Sequence, residues 1–183
     1  MNPTPFDQWT LKAIRYDKSM MNWLEERRYE WIALASDALQ RIVAGQSVLI
    51  LTDNERDWFA HYVVQSINSN ARHRPFVPIY NLKELFPNVQ NFTTNEEVEL
   101  LYDLFSISFS SGYFVWYIGR PTSKYVKIAK GRDDNFLWIM DEDMQNNFTL
   151  KSYDELLDIK LLQLYRLFDK SLDAALFGEV LFA

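Results

Sequence analysis

The 183-residue sequence contains no cysteine, which excludes a disulfide scaffold, a thiolate zinc site and a cysteine nucleophile. It has only 5 glycines, fewer than the roughly 7% of average composition, so a glycine-rich loop that cradles a phosphate is not expected. The most apolar runs, Ser47–Leu51 and Tyr113–Ile118, are much shorter than the roughly 20 residues of a membrane span. Residues 1–7 lack the basic and apolar segments of an export signal. We expect a soluble, cytoplasmic protein.

Composition and net charge indicate the number of domains and exclude several kinds of binding partner. Hydrophobic residues make up 48% of the chain and aromatic residues 16%, enough for one globular domain over residues 1–183. Within it we expect an N-terminal helical part (1–45) and a C-terminal helix with a tail (152–183). The net charge of -6 disfavours direct binding to nucleic acid or to an anionic membrane surface. No cofactor is expected.

Strands and helices alternate along the chain. Apolar runs with β-branched and aromatic members predict five strands, at Ser47–Leu51, Phe76–Tyr80, Tyr113–Ile118, Asn135–Met140 and Asn147–Leu150. Helical spacing predicts helices at Asn22–Ala44, Asn54–Ile67, Thr94–Ile107 and Thr122–Ala129, and a final helix that Ser152 or Asp154 caps and that ends near Phe177. This order predicts an α/β, Rossmann-type three-layer sandwich, in which about five parallel strands are flanked by helices. In such folds ligands bind beyond the carboxyl ends of the strands.

The turn after the first strand carries acids where nucleotide-binding folds carry glycines. It reads Thr52, Asp53, Asn54 and Glu55, with Asp57 close behind. We expect Asp53 and Asp57 to cap the following helix, so that an incoming phosphate would meet negative charge. Dinucleotide and P-loop sites are therefore disfavoured.

The sequence offers only weak candidates for a metal site, a catalytic residue or a stacking surface. Asp53 and the acidic run 141–143 could hold magnesium, but helix capping and a solvated loop explain them better, so no metal ligand is assigned. His61 has no acid or serine at an informative spacing, His73 is expected on a solvated loop, and no catalytic residue is assigned. Five tryptophans suggest a stacking surface, but they lie on predicted apolar faces and favour core packing: Trp23, Trp31, Trp58, Trp116 and Trp138.

The final helix has an unusually wide apolar face. About half of its circumference is apolar, against the stripe of about 100° of a typical surface helix; these residues are Leu157, Leu161, Leu164, Tyr165, Leu167, Phe168 and Leu172. Four further apolar residues interrupt the polar face: Ile159, Leu162, Leu176 and Phe177. Either the helix end folds back and covers them, or the wide face forms a subunit interface and these residues meet a second protein.

The sequence resembles the HobA family, whose members bind the bacterial replication initiator DnaA, and more distantly the DiaA family. The most characteristic segments are Leu156–Leu164 and Val48–Asn68, and the likeness extends over nearly the whole chain. The resemblance implies the SIS fold, a parallel sheet flanked by helices that is also found in phosphosugar isomerases. It also implies a homotetramer, described as a dimer of dimers.

The chain departs from the isomerase pattern at the residues that do the chemistry. It resembles the isomerase pattern at Arg74–Pro78 and at His61, which aligns with the histidine of that pattern. The glycine-serine loop of those enzymes is replaced by residues 52–55, and their glutamate by Gln65. An amide cannot accept a proton as a carboxylate does, so isomerase activity is not expected and the loop is interpreted as a vestigial ligand site.

The resemblance also suggests where a partner binds. DiaA-like proteins contact DnaA through a Leu-Phe pair near the C-terminus, which looks like Leu176 and Phe177 here. We add Leu162, Arg166, Asp169 and Asp173, which share the helix face. The expected function is a non-catalytic adaptor that binds the N-terminal domain of DnaA and promotes its ordered assembly at the replication origin. The alternative is a SIS domain that still binds a phosphosugar or a nucleotide.

Overall fold

The computed structural model describes residues 3–17, 20–69, 73–143 and 146–182. The strands are β1 (Thr4–Pro5), β2 (Ser47–Thr52), β3 (Ile79–Asn81), β4 (Tyr113–Gly119), β5 (Phe136–Met140), β6 (Asn147–Leu150) and β7 (Val180–Leu181). The helices are α1 (Phe6–Tyr16), α2 (Arg28–Val43), α3 (Asp57–Ile67), α4 (Leu82–Leu85), α5 (Asn95–Ser108), α6 (Val126–Ala129) and α7 (Leu157–Leu176). Contacts divide the chain into two compact units: a terminal unit (Met1–Ala44 with Tyr153–Ala183) and a sheet unit (Gly45–Ser152).

The sheet unit contains five parallel strands in the order β3-β2-β4-β5-β6. Every residue of β4 and β5 is buried, which explains their uninterrupted apolar sequences. On one face, Val115 packs with Leu101 and Phe105 of α5. On the other face, the Phe59 ring of α3 lies 6.4 Å from that of Trp116. Helices therefore lie on both faces of a parallel sheet, and the predicted fold class is confirmed.

The terminal unit is mainly helical. It contains α1, α2 and α7, together with the short parallel pair β1 and β7. The Trp31 ring of α2 meets the Phe168 ring of α7 edge-on at 6.4 Å. The Trp23 indole N–H donates to Gln163 Oε1 over 2.7 Å. These contacts join residues more than a hundred positions apart into a second core.

Two predicted elements begin later than expected. The helix predicted from Asn22 is interrupted: Met21–Leu24 form a 3₁₀ turn and α2 begins only at Arg28. The Arg28 guanidinium donates to the Glu25 carbonyl (2.8 Å) in the interruption. The strand predicted from Phe76 begins at Ile79, because Pro75 and Pro78 have no N–H to donate to a ladder.

Two helices are also shorter than predicted. Asn54–Arg56 form a 3₁₀ turn ahead of α3, and only the last turn of the helix predicted from Thr122 forms, as α6. The sequence also failed to predict α1, α4, β1 and β7 individually. The strands β1 and β7 have two residues each and α4 has four, too few to show a period, whereas α1 has 11 residues and its period was missed.

The ends of two long helices test the predicted caps. At α5 the capping box is confirmed: Thr94 Oγ1 accepts from the Glu97 N–H (3.2 Å), and Glu97 Oε2 accepts from the Thr94 N–H (2.9 Å). At α7 the prediction is wrong, since Leu156 is the N-cap residue. Asp154 instead accepts from the Leu156 N–H at 2.9 Å. In the described part of the chain, no helix has the length and apolarity needed to cross a membrane.

Candidate functional site

Helix α7 is buried around most of its circumference. All seven residues of the predicted wide apolar face are buried. The residues that stay exposed or half-exposed on one side lie within an arc of about 80° on a helix of 3.6 residues per turn. They form what we call the α7 stripe: Ile159, Leu162, Arg166, Lys170, Asp173 and Phe177.

Five of the six residues that the sequence assigned to a partner site on α7 are at least partly exposed. Arg166 is exposed and Phe177 is 58% exposed. Leu162, Asp173 and Leu176 are half-buried. Asp169 is the exception, because its side chain is only 2% exposed. It lies on the packed side of the helix, one turn from Tyr165 and Leu172, and is therefore not part of the α7 stripe.

Two members of the α7 stripe were not among the residues that the sequence assigned to DnaA binding. Ile159 is 52% exposed at the start of the helix, and Lys170 is exposed near its middle. The Lys170 ammonium lies 2.5 Å from Asp17 Oδ2. Both residues follow from the same helical period as Arg166 and Phe177, so the spacing would have found them. Apolar residues thus stand at each end of a charged middle, as in many protein interfaces.

The start of the α7 stripe is anchored by a polar cluster. The carboxylate of Asp154 accepts from the Lys160 ammonium and from the Leu156 N–H, and these contacts lower the pKa of Asp154. The Lys160 ammonium also lies 5.0 Å from the centre of the Trp23 ring. The first turn of α7, with Ile159 in it, is thereby tied to the rest of the terminal unit.

A second set of nominated residues lies at the carboxyl edge of the sheet. Thr52 and Asp53 are buried, whereas Asn54 and Glu55 are exposed. Asp53 does not cap a helix as expected. Its two carboxylate oxygens accept from Arg56 Nη1 (3.0 Å) and from the Arg120 N–H (2.8 Å). The prediction was wrong because Asp53 pairs with Arg56, three residues further on, and with the Arg120 N–H, which only the tertiary fold brings close.

The other acids of this edge are paired as well. Asp57 accepts from the Thr52 hydroxyl (2.8 Å) and from the Lys83 ammonium (2.6 Å). Glu55 accepts from Arg56 (2.7 Å) and lies 3.3 Å from Arg120 Nη2. The carboxylates therefore neutralise neighbouring cations instead of presenting an uncompensated negative charge. Those cations are in turn less available to a phosphate.

A shallow cleft of about 390 Å³ opens beside these residues. Its lining includes Thr122, Ser123, Lys124 and Tyr125. Burial raises the pKa of Tyr117 to about 12, so this phenol stays neutral and donates to the Arg120 carbonyl at 2.8 Å. The Tyr117 hydroxyl is thus committed to the protein backbone.

The remaining candidates for chemistry are not assembled into a site. His61 is exposed on α3, with Nε2 2.6 Å from Glu84 Oε1 and Nδ1 2.7 Å from the Asp57 carbonyl. The carboxylate of Asp141 accepts from the Ser152 N–H (2.9 Å). Over residues 3–17, 20–69, 73–143 and 146–182, no group of three His, Cys, Asp or Glu side chains is placed to hold a metal ion.

The tryptophans divide between core and surface. Trp31, Trp116 and Trp138 are fully buried, as predicted. Trp23 is half-buried, and Trp58 is 39% exposed, so the prediction of core packing was wrong for Trp58. His73 lies outside the helices and strands and is exposed, as expected of a loop residue.

Comparison with known proteins identifies the family. The profile of HobA, described as a DNA replication regulator, matches residues 1–182. The chain belongs to the HobA family. The DNA replication regulator protein HobA of Helicobacter pylori is 26% identical over 181 residues, covering 96% of this chain and 97% of that protein. The expected resemblance is confirmed.

Solved structures extend the comparison to three dimensions. A chain in the crystal structure of a HobA–DnaA (domain I–II) complex from Helicobacter pylori is 26% identical, with a TM-score of 0.76, and the match covers 97% of this HobA-family chain and 99% of that one. A crystal structure of Helicobacter pylori HobA is 23% identical, with a TM-score of 0.73 over 96% of this chain and 95% of that one, and supports the fold.

Proposed function

We propose that this HobA-family chain binds the N-terminal domain of DnaA and promotes its ordered assembly at the replication origin. It acts as a cytoplasmic, non-catalytic adaptor. The observation that carries the proposal is the whole-length likeness to a chain of a HobA–DnaA (domain I–II) complex. The sheet edge supports a non-catalytic role, because Asp53, Glu55 and Asp57 are each engaged by a neighbouring cation.

The α7 stripe is the surface that we propose for DnaA. Its ends are apolar, at Ile159 and Phe177, and its middle is charged. An exposed apolar side chain such as Phe177 is suited to enter a pocket on a partner, while the exposed Arg166 sets the orientation by charge. Most of the helix is buried, which holds these side chains in fixed positions before binding. Little conformational entropy is then lost when a partner docks.

Promotion of assembly requires more than one binding site. We propose a homotetramer, a dimer of dimers, which presents several copies of the α7 stripe. Several DnaA molecules held on one particle reach a high effective concentration, in the millimolar range for short flexible tethers. The protein would thereby favour DnaA assembly without touching DNA itself, in keeping with a net charge of -6.

The proposal is tested by calorimetric titration with DnaA domain I–II. The double substitution Leu176→Ala/Phe177→Ala removes the apolar end of the helix and should weaken binding about tenfold or more, about 1.4 kcal/mol. Light scattering on each variant separates loss of contact from loss of assembly. Val43→Ala, which truncates a 48% exposed apolar side chain at the end of α2, is the matched control and should bind as the wild type does.

Each result has a distinct meaning. Wild-type binding that the double substitution weakens, at an unchanged mass, supports both the partner and the α7 stripe. Unchanged binding would keep DnaA as the partner and reject this surface. No binding by the wild type would reject the proposed function itself.

A further inference from the structure

Helix α5 has apolar residues on two sides. Val98, Leu101 and Phe105 face inward and are buried in the sheet unit. On a second side, Leu100 is 65% exposed, Leu104 37% and Ile107 81%. Their spacing of four and three residues places them in one row along the helix. We call this row the α5 row.

The charges that α5 itself carries are all of one sign. Helix α5 carries Glu96, Glu97, Glu99 and Asp103 and no Lys, Arg or His. Glu96 and Asp103 lie beside Leu100, one turn before it and one turn after it, and both are exposed. In the described ranges neither forms an ion pair. Lys127 lies near the beginning of the helix and donates to the Thr93 carbonyl at 2.7 Å.

The packed side of α5 accounts for its stability without the α5 row. The capping box at Thr94 and Glu97 fixes its first turn, and Leu101 and Phe105 are about 1% exposed. Leu100 and Ile107 are mostly exposed, so they contribute little to this packing. A contiguous exposed apolar row with a charged rim is the anatomy of a protein contact surface.

The acidic residues beside the α5 row distinguish between a second copy of this chain and a partner of opposite charge. A second copy of this chain docked through the same row would place the carboxylates of two α5 helices side by side, and like charges across an interface are repulsive. A partner helix with apolar residues flanked by Lys or Arg would instead pair its cations with Glu96 and Asp103. We propose that the α5 row docks a basic amphipathic helix of a partner protein. The α5 row shares no residue with the α7 stripe, and the inference does not depend on DnaA.

The test uses two stapled helical peptides of about five turns (~18 residues). One has a leucine row flanked by lysine, and the other has glutamate in place of every lysine. Backbone amide shifts of the isotopically labelled protein report where each peptide binds. The lysine peptide should perturb α5 in a saturable, salt-sensitive way, and the glutamate peptide should not. Perturbation centred outside α5, or equal binding by both peptides, would overturn the proposal.

Two variants separate the apolar and electrostatic parts of the contact. Leu100→Ser/Ile107→Ser should weaken binding of the lysine peptide about tenfold or more, and Glu96→Gln/Asp103→Asn should weaken it at low salt and remove most of the salt dependence. Phe76→Ser, at a 72% exposed aromatic residue outside α5, is the matched control and should bind as the wild type does. Unchanged affinity in both double variants would reject the α5 row.

Light scattering tests whether a second copy of this chain occupies the α5 row. The mass of the particle in solution should be the same for the wild type and for Leu100→Ser/Ile107→Ser. A lower mass for the variant, with its circular dichroism spectrum unchanged, would show that the α5 row joins copies of this chain and would overturn the proposal.

Discussion

Arg56 donates to the Asp53 carboxylate over 3.0 Å, and the two side chains are 4% and 9% exposed. The other oxygen of Asp53 accepts from the Arg120 N–H. One carboxylate therefore joins the turn after β2 to the loop after β4. The approach is close enough that a Cβ on Gly119 would lie 3.0 Å from Asp53 Oδ2 and 2.5 Å from the Tyr117 hydroxyl.

The buried pair predicts a large cost for removing one partner. Asp53→Ala should lower the free energy of unfolding by about 3 kcal/mol, because Arg56 stays buried with only Glu55 to pair it. Asp57→Ala, which removes a carboxylate that is 41% exposed, should cost less than about 1 kcal/mol. Urea denaturation followed by circular dichroism measures both. Equal losses would show that the Asp53–Arg56 pair contributes no more than an exposed pair.

Two neighbouring charges on α7 should behave in opposite ways. Arg166→Ala removes an exposed side chain, so it should weaken DnaA binding and leave the unfolding free energy within about 0.5 kcal/mol of the wild type. Asp169→Ala removes a side chain that is 2% exposed and should cost about 1–3 kcal/mol of stability. Calorimetric titration and urea denaturation of both variants give the comparison. The reverse ranking would contradict the placement of the α7 stripe.

The Asp154 cluster predicts a pH dependence. The Lys160 ammonium and the Leu156 N–H hold the pKa of the Asp154 carboxyl below its ordinary value. The folded protein therefore favours the ionised form, and this contribution is complete above the unfolded pKa of about 3.9 and is lost as the pH falls through the folded value. Asp154→Asn should cost about 0.5–1 kcal/mol at neutral pH.

Thermal unfolding across pH checks this prediction. The difference between the wild type and Asp154→Asn should shrink as the pH falls below about 4. Glu155→Gln, at an exposed neighbouring acid, is the control and should show a smaller difference at neutral pH. A difference for Asp154→Asn that grows on acidification would reverse the sign and disprove the assignment.

The sheet edge predicts the outcome of a ligand screen. Phosphosugars at millimolar concentration should give no saturable rise in melting temperature, because Glu55 pairs Arg56 and Arg120 and the Arg120 N–H already donates to Asp53. Glu55→Gln removes the carboxylate that pairs Arg120, while Arg56 stays paired with Asp53, and should allow weak, salt-sensitive binding of phosphate. A saturable rise with the wild type would favour the alternative of a retained phosphosugar site.

Local sequence was sufficient wherever one periodic pattern decided the structure. The strands that became β2, β4, β5 and β6 were predicted to within one residue at each end. The apolar runs of β2, β4 and β5 are typical of parallel strands buried on both faces. The α5 capping box needed only the spacing of Thr94 and Glu97. The seven buried apolar residues of α7 followed from the helical period alone.

Such local patterns could not predict pairing between residues that lie far apart in the chain. Asp53 and Arg120 stand 67 positions apart, and neither residue type indicates which donor or acceptor will face it. The sequence therefore assigned Asp53 to a helix cap, the default role of an acid after a strand. The same limit explains why Asp169 was expected at the surface, since a charged residue is usually exposed.

By itself, the sequence determined the parallel α/β sheet, its main helices and the apolar character of α7, because hydrophobic period and caps act within a few residues. Only the tertiary structure decided which residues of α7 stay exposed, how the acids at the sheet edge are paired, and that α5 keeps a second apolar side in water. Burial and charge pairing depend on neighbours that the fold brings from elsewhere in the chain, and no local pattern records them.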